Sequence, residues 1–265
     1  MNSIVDVKNL SFSYAGRPIL KNLDFSVEKG SFFIIIGPNG SGKTTLMKIM
    51  SGILKSGSGR IKISGRSAGA YSRKAMAKII SFVPQTAPVD FPFKVKELVL
   101  MGRSPHLGIL GMEQKKDIEL VEEALVFTGT RHLAERKIDQ LSGGERQRVF
   151  IARAICQEPK VIMLDEPTAS LDIAHQLNIM DLMEKLKIER GVTVLMVSHD
   201  INLAAMYSDK ILLLNNGEKV GFGPPEDIIK FDTLEKTYGC RLLVDQSPFG
   251  NFPRITPVPQ KFMNL

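Results

Sequence analysis

The sequence predicts an α/β protein, with a mixed sheet, an N-terminal antiparallel β subdomain and a separate helical subdomain. Three observations predict it. The segments "IVDVKNLSFSY" (4–14) and "ILKNLDFSVE" (19–28) alternate apolar and polar residues across the turn signal "AGRP", as a pair of half-buried antiparallel strands requires. By contrast "FFIII" (32–36), "VIML" (161–164) and "VTVLMV" (192–197) are continuous apolar runs, the pattern of parallel strands covered on both faces. From about Pro92 to Gln157 the strand signal gives way to helical spacing, with Ile118, Val121 and Leu125 set three and four apart.

These signals divide one domain into two lobes. Residues 1–91 and 158–237 are expected to form the core lobe and 92–157 the helical lobe. The tail, 238–265, carries Pro248, Pro253, Pro257 and Pro259, which favours an extended or irregular close over another helix.

Composition sets the outer limits. At 265 residues, 43% hydrophobic and 24% charged, the chain can bury a sizeable core. None of its apolar runs approaches the roughly 20 residues that span a bilayer, and "MNSIVDVKNL" has neither the basic nor the apolar region of a secretion signal. Cys156 and Cys240 show no metal-ligand spacing and are expected to be reduced packing residues. The net charge of +7 suits an anionic partner, and no Asp or Glu occurs between Glu28 and Asp90. Sign alone does not choose between nucleic acid, a membrane surface and a nucleotide.

"GPNGSGKT" (37–44) follows the strand "FFIII" and precedes the helical "TLMKIM", the strand, loop and helix context of a P-loop. Gly37, Gly40 and Gly42 permit the backbone turns that aim successive amides at phosphate oxygens, and Pro38, Asn39 and Ser41 complete the loop. Lys43 adds a point charge, the Thr44 hydroxyl suits Mg2+, and Thr45 continues the helix start.

"VIMLDE" ends a buried strand on two acids, at the edge where ligands gather in open parallel sheets. Asp165 is suited to the Mg2+ shell and Glu166 to orienting and partly deprotonating an attacking water, although a pair of acids can simply close a strand. Three further candidates have equally plain alternatives. His199, closing the next strand, suits a terminal phosphate or a structural hydrogen bond. Gln85 suits Mg2+ or the attacking water, or plain solvation. Tyr14 suits stacking on a base, or packing.

A second glycine pair lies in "LSGGERQRVFIARAI" (141–155). Ser142 and Glu145 have the spacing of a capping box for the helix that follows, and Gly143 and Gly144 leave its first amides accessible. Such a helix end presents about half a positive charge to an anion, here without a lysine of its own.

In this order the P-loop, "LSGGE", "LDEP", "SLD" (170–172) and a strand-closing His resemble the nucleotide-binding subunits of ABC transporters across nearly the whole chain. The resemblance implies a P-loop NTPase core, ATP as substrate with Mg2+, and two copies facing head to tail. Each ATP would lie between the P-loop of one copy and Ser142, Gly143 and Gly144 of the other. It further implies that Tyr14 lies under adenine, that Gln85 couples the Mg2+ site to a membrane partner, that Asp172 contacts the opposite subunit, and that His199 is the switch histidine.

A narrower resemblance comes from "KVKELVLMGRSPH" (94–106), which is similar to the "V-x-E-L-V-x-x-G-R-x-P-H" segment of importers for iron-siderophore, haem and cobalamin complexes. Lys94 departs from that pattern, where Thr is frequent. The implied protein is a peripheral ATPase on the cytoplasmic face of the cell membrane, working with transmembrane permease subunits and indirectly with an external substrate-binding protein, and no nucleic acid is expected. Two alternatives compete: a soluble ATPase of the same type acting on nucleic acid, ribosomes or cofactor assembly, and a regulatory cassette that binds ATP without turnover. The single P-loop and the absence of cluster cysteines weigh against the first, and the presence of Glu166 and His199 against the second.

Overall fold

The computed structural model describes residues 3–85, 92–108, 112–169 and 171–262. Ser170 of the "SLD" run and Asp90 at the end of the acid-free stretch lie outside them. The chain forms two compact units, one of residues 1–69 and 195–265, the other of residues 70–194.

In the first unit, β1 (Ser3–Tyr14) and β2 (Arg17–Glu28) pair antiparallel as the alternation predicts. The intervening Ala15 and Gly16 both have positive φ, 45° and 82°, the conformation whose twist matches a two-residue hairpin. A register shift between Val7 and Leu10, at left-handed Asn9 (φ 50°), resets the alternation. β3 (Phe32–Ile36) is buried at all five positions, each side chain contributing about 1.5–3 kcal/mol of transfer free energy. It leads through the glycine loop into α1 (Lys43–Met50), which buries Leu46, Met47, Ile49 and Met50. β4 (Ser58–Ile63) then pairs with β1, and β5 (Arg66–Ser67) with β4.

The second unit opens with α2 (Arg73–Ala77) and β6 (Ile80–Val83). Helices follow: α3 (Val95–Leu100), α4 (Lys115–Phe127) and α5 (Gly143–Cys156), which pack on one another and bury Val95, Val99, Val121, Leu125, Val149 and Ile151. The phase of α4 differs from expectation. Val121 and Leu125 are buried, but Ile118 is 52% exposed, because Asp117 takes the inward position to meet Arg103. β7 (Val161–Asp165) runs parallel to β6, as its unbroken apolar run predicts. After α6 (Ile173–Arg190), β8 (Thr193–Val197) carries the chain back to the first unit.

There α7 (Ile201–Tyr207) precedes β9 (Lys210–Asn215), parallel to β3, and β10 (Glu218–Gly223), antiparallel to β9, so the sheet is mixed. α8 (Pro225–Ile228) and α9 (Phe231–Tyr238) follow. The proline-rich tail folds as an antiparallel pair, β11 (Leu242–Gln246) with β12 (Pro253–Pro257). A two-stranded sheet has only edge strands, where proline is tolerated. Asn202 ties the hairpin to α7, donating to Ile255 O at 3.1 Å and accepting from Ile255 N at 2.8 Å. The two cysteines part company: Cys156 is buried, with burial pushing its thiol up to about 12, whereas Cys240 is exposed and does not serve as a packing residue.

Among the described residues no helix is long and apolar enough to cross a membrane.

Candidate functional site

Chain geometry makes the first anion cradle. The pairing of β3 with β9 brings Gly37 against the Leu214 carbonyl, where an added Cβ would lie 2.1 Å from the oxygen, and Gly37 has a φ of 148°. No side chain other than hydrogen fits there. The loop folds back on itself, with Ser41 N donating to Pro38 O at 3.2 Å and Gly217 N donating to Ser41 O at 3.2 Å. Lys43 is 5% exposed, and its Nζ donates to Gly37 O at 2.9 Å and Pro38 O at 3.0 Å. The Ser41 hydroxyl is buried without a partner among the described residues. Asn39 and Gly40 are exposed at the tip, while Pro38, Thr44 and Thr45 are half-buried.

α1 starts at Gly42 with no side-chain cap and no acid in its first turn. Its positive end is therefore not offset locally. An orphan hydroxyl, a buried ammonium and an uncapped helix start are together the requirements of a polyphosphate site.

His199 and Tyr14 belong to the same unit. Ser198 N donates to Ile35 O at 3.1 Å, which sets exposed His199 beside the end of β3, where the glycine loop begins. Asp200 caps α7 by accepting from Leu203 N at 2.9 Å and so fixes the exit from His199. Tyr14, 46% exposed, stands edge-on to Phe12 with ring centroids 4.8 Å apart.

The second unit holds the acids and the second glycine pair. β7 ends at buried Asp165, and Glu166 turns the chain with a positive φ of 52°, an uncommon conformation for a residue with a Cβ. The Gln85 side-chain amide donates to Glu166 Oε2 at 2.5 Å. Two candidates 81 positions apart in sequence are thereby joined, because β6 and β7 are parallel neighbours.

At α5, Ser142 Oγ accepts from Glu145 N at 3.3 Å and Ser142 N donates to Glu145 Oε2 at 2.9 Å, the capping box that the spacing predicts. The Ser142 amide first, and the Ser142 hydroxyl second, each donate to Glu145 Oε2 at 2.9 Å and hold the Glu145 carboxyl below its ordinary range. Ser142 and Gly143 are exposed, and Gly144 is buried against His175. A Cβ on Gly144 would lie 2.3 Å from the His175 ring. Asp172 caps α6 through His175 N and also accepts from His175 Nδ1, both at 2.8 Å, which keeps its carboxyl low. Asp172, His175 and Gly144 thus form one surface cluster.

Two participants carry no sequence signal. His175 reads as an ordinary helical residue until the starts of α5 and α6 are brought together at Gly144. Tyr238, at the end of α9, buries its hydroxyl near Gly37 without a hydrogen-bond partner among the described residues, and burial pushes it up to about 12. Among the described residues no cluster of His, Cys, Asp and Glu could alone hold a metal ion.

Comparison with known proteins places this geometry in a family. Residues 20–169 match the model of the ABC transporter domain. The chain is 36% identical to the ferric enterobactin transport ATP-binding protein FepC of Escherichia coli K12, over 95% of this chain and 93% of that one. It is 42% identical to the manganese transport system ATP-binding protein MntB of Bacillus subtilis, over 90% and 93%. A chain of an inward-facing ABC transporter assigned to the metal-chelate type superposes with a TM-score of 0.88 at 32% identity, covering 99% of this chain and all of that one. A dimeric ATP-binding cassette in a post-hydrolysis state with ADP and phosphate superposes with a TM-score of 0.72 at 31% identity, over 83% and 98%.

Proposed function

Because this chain belongs to the ABC transporter ATP-binding family, and therefore binds and hydrolyses ATP, we propose that it is the ATPase of a metal-chelate importer on the cytoplasmic face of the membrane. Two copies close head to tail on two ATP molecules, and closure drives a separate permease supplied by an external binding protein. The observation that carries this reading is the pair of unlike anion cradles: a P-loop with its own lysine, and an α5 start with none.

In this reading the Gly37, Pro38, Asn39, Gly40, Ser41 and Gly42 backbone, Lys43 and Thr45 grip the phosphates, and Tyr14 supports the base. Ser142, Gly143 and Gly144 reach the terminal phosphate of the partner's ATP, and Asp172 touches the partner. Glu166 orients the attacking water and accepts its proton as the terminal phosphorus is attacked and ADP leaves. Gln85, donating to that carboxylate, positions it and relays the state of the permease, while His199 donates to the terminal phosphate. Thr44, Gln85 and Asp165 are hard oxygen donors of the kind Mg2+ takes beside a nucleotide, and would hold it. Mg2+ would there offset the phosphate charge.

The chelate assignment is supported by the "GRSPH" segment and by the FepC likeness. The higher identity to MntB favours a second cargo reading, free manganese ion. The test is to purify the chain with its permease from native membranes and measure turnover with the cognate binding protein loaded with ferric siderophore, haem, cobalamin or manganese. Stimulation by a loaded chelate supports the proposal, stimulation by manganese alone replaces the cargo, and a chain that brings down only soluble partners or nucleic acid refutes the transport role.

A further inference from the structure

The segment 102–106 grips the carboxyl end of α5 at several points. Gly102 sits so close that a Cβ there would lie 2.3 Å from the Arg153 carbonyl oxygen. Arg103, 4% exposed, donates from Nη1 to Cys156 O at 2.8 Å and to Glu158 Oε2 at 2.9 Å, and from Nε to Asp117 Oδ1 at 2.9 Å. His106 Nε2 lies 2.9 Å from Gln157 O, and the Gln157 side chain donates to Ile80 O at 2.9 Å and to Ala77 O. The last carbonyls of α5 are thus bonded to a buried cation and an imidazole, the groups that suit a helix C-terminus.

Leverage gives this a consequence. A 14-residue helix is about 21 Å long at 1.5 Å per residue, so a tilt of about 10° moves its far end by roughly 3–4 Å. That far end is Ser142 to Gly144. Misplacement of a reacting constellation by about 1 Å can cost on the order of a hundredfold.

We propose that the Gly102 to His106 segment is a clamp that sets the aim of α5, with Arg103 as a positioning residue for the Ser142 to Gly144 end. Its buried fork meets a helix carbonyl, α4 and the chain after α5 at once, a task that needs three directed donors and that lysine cannot copy. The inference rests on the reading that this end binds the partner's ATP. The clamp leaves the P-loop untouched, so it predicts a split between binding nucleotide and closing on it.

The experiment uses the full chain with Glu166→Gln as parent. Arg103→Lys and His106→Gln are each added, and two quantities are read: affinity of the monomer for a fluorescent ATP analogue, and the ATP concentration at which half the chain runs as a dimer by size. Expected are unchanged analogue affinity and a dimerisation midpoint raised about tenfold or more by Arg103→Lys, less by His106→Gln. If the lysine variant fails to fold, Asp117→Asn and His106→Gln decide by the same two readings. Variants that lose thermal stability yet dimerise at the parent's ATP concentration would overturn the clamp. A parent that stays monomeric with ATP would overturn the reading beneath it instead.

Discussion

Two helix starts, α1 and α5, both follow glycines and both offer amides to an anion, yet they are finished differently. α1 begins at a left-handed glycine with no cap, no first-turn acid and buried Lys43 as its first residue. α5 begins at a serine cap whose carboxylate partner, Glu145, occupies one amide and places negative charge at the positive end of the helix. The first is equipped to hold a polyphosphate alone. The second is already capped without an anion and brings no lysine, which suits the proposed site that acts only when a partner delivers a bound nucleotide.

Variants can break that contrast one side at a time. The largest effect is expected from Glu166→Gln, which keeps the Gln85 contact within reach but removes the proposed proton acceptor. Turnover should fall by about 10²–10⁴-fold with ATP still bound, and a sizing column should show an ATP-dependent dimer. Lys43→Ala removes the charge that distinguishes α1, and calorimetric titration should show ATP affinity reduced about ten- to a hundredfold. Gly144→Ala should do the opposite, sparing ATP affinity and preventing dimerisation, because its methyl group meets the His175 ring. Adding His175→Ala should restore part of the dimer. Smaller still, Ser142→Ala removes the cap of α5, and thermal melts should show about 1 kcal/mol of lost stability beside the loss of turnover.

The far end of α5 gives an effect that depends on pH. The Gln114 amide first, and Arg103 second, hold the Asp117 carboxyl below its ordinary value. A carboxylate lowered on folding stabilises the fold fully above the unfolded pKa, about 3.9, and that contribution is lost as pH falls through the lowered folded value. Asp117→Asn should therefore be less stable than the parent at neutral pH, and melting curves taken at successively lower pH below about 4 should converge.

What was legible in sequence was whatever local backbone chemistry encodes. The P-loop, the capping box and the buried strands each announce themselves within about ten residues, since glycine conformation, cap spacing and apolar runs are local constraints. What escaped were side chains paired across elements. Nothing near His175 says that it will lie against Gly144, nor near Tyr238 that its hydroxyl will be buried near Gly37. Ile118 was expected inward because its spacing fits, and it faces out because the Arg103 to Asp117 ion pair sets the phase of α4. The tail prolines pointed to an extended or irregular close but gave no sign of the hairpin, which Asn202 in α7 ties down.

The most direct measurement of the central claim mixes two inactive variants. In a head-to-tail pair each ATP site takes its P-loop from one copy and its α5 start from the other. A dimer of one Lys43→Ala copy and one Gly144→Ala copy then concentrates both defects in one site and leaves the other intact. The account predicts that turnover, absent from either variant alone, reappears in the mixture. A mixture as inactive as its components would contradict it, showing that each copy completes its own site.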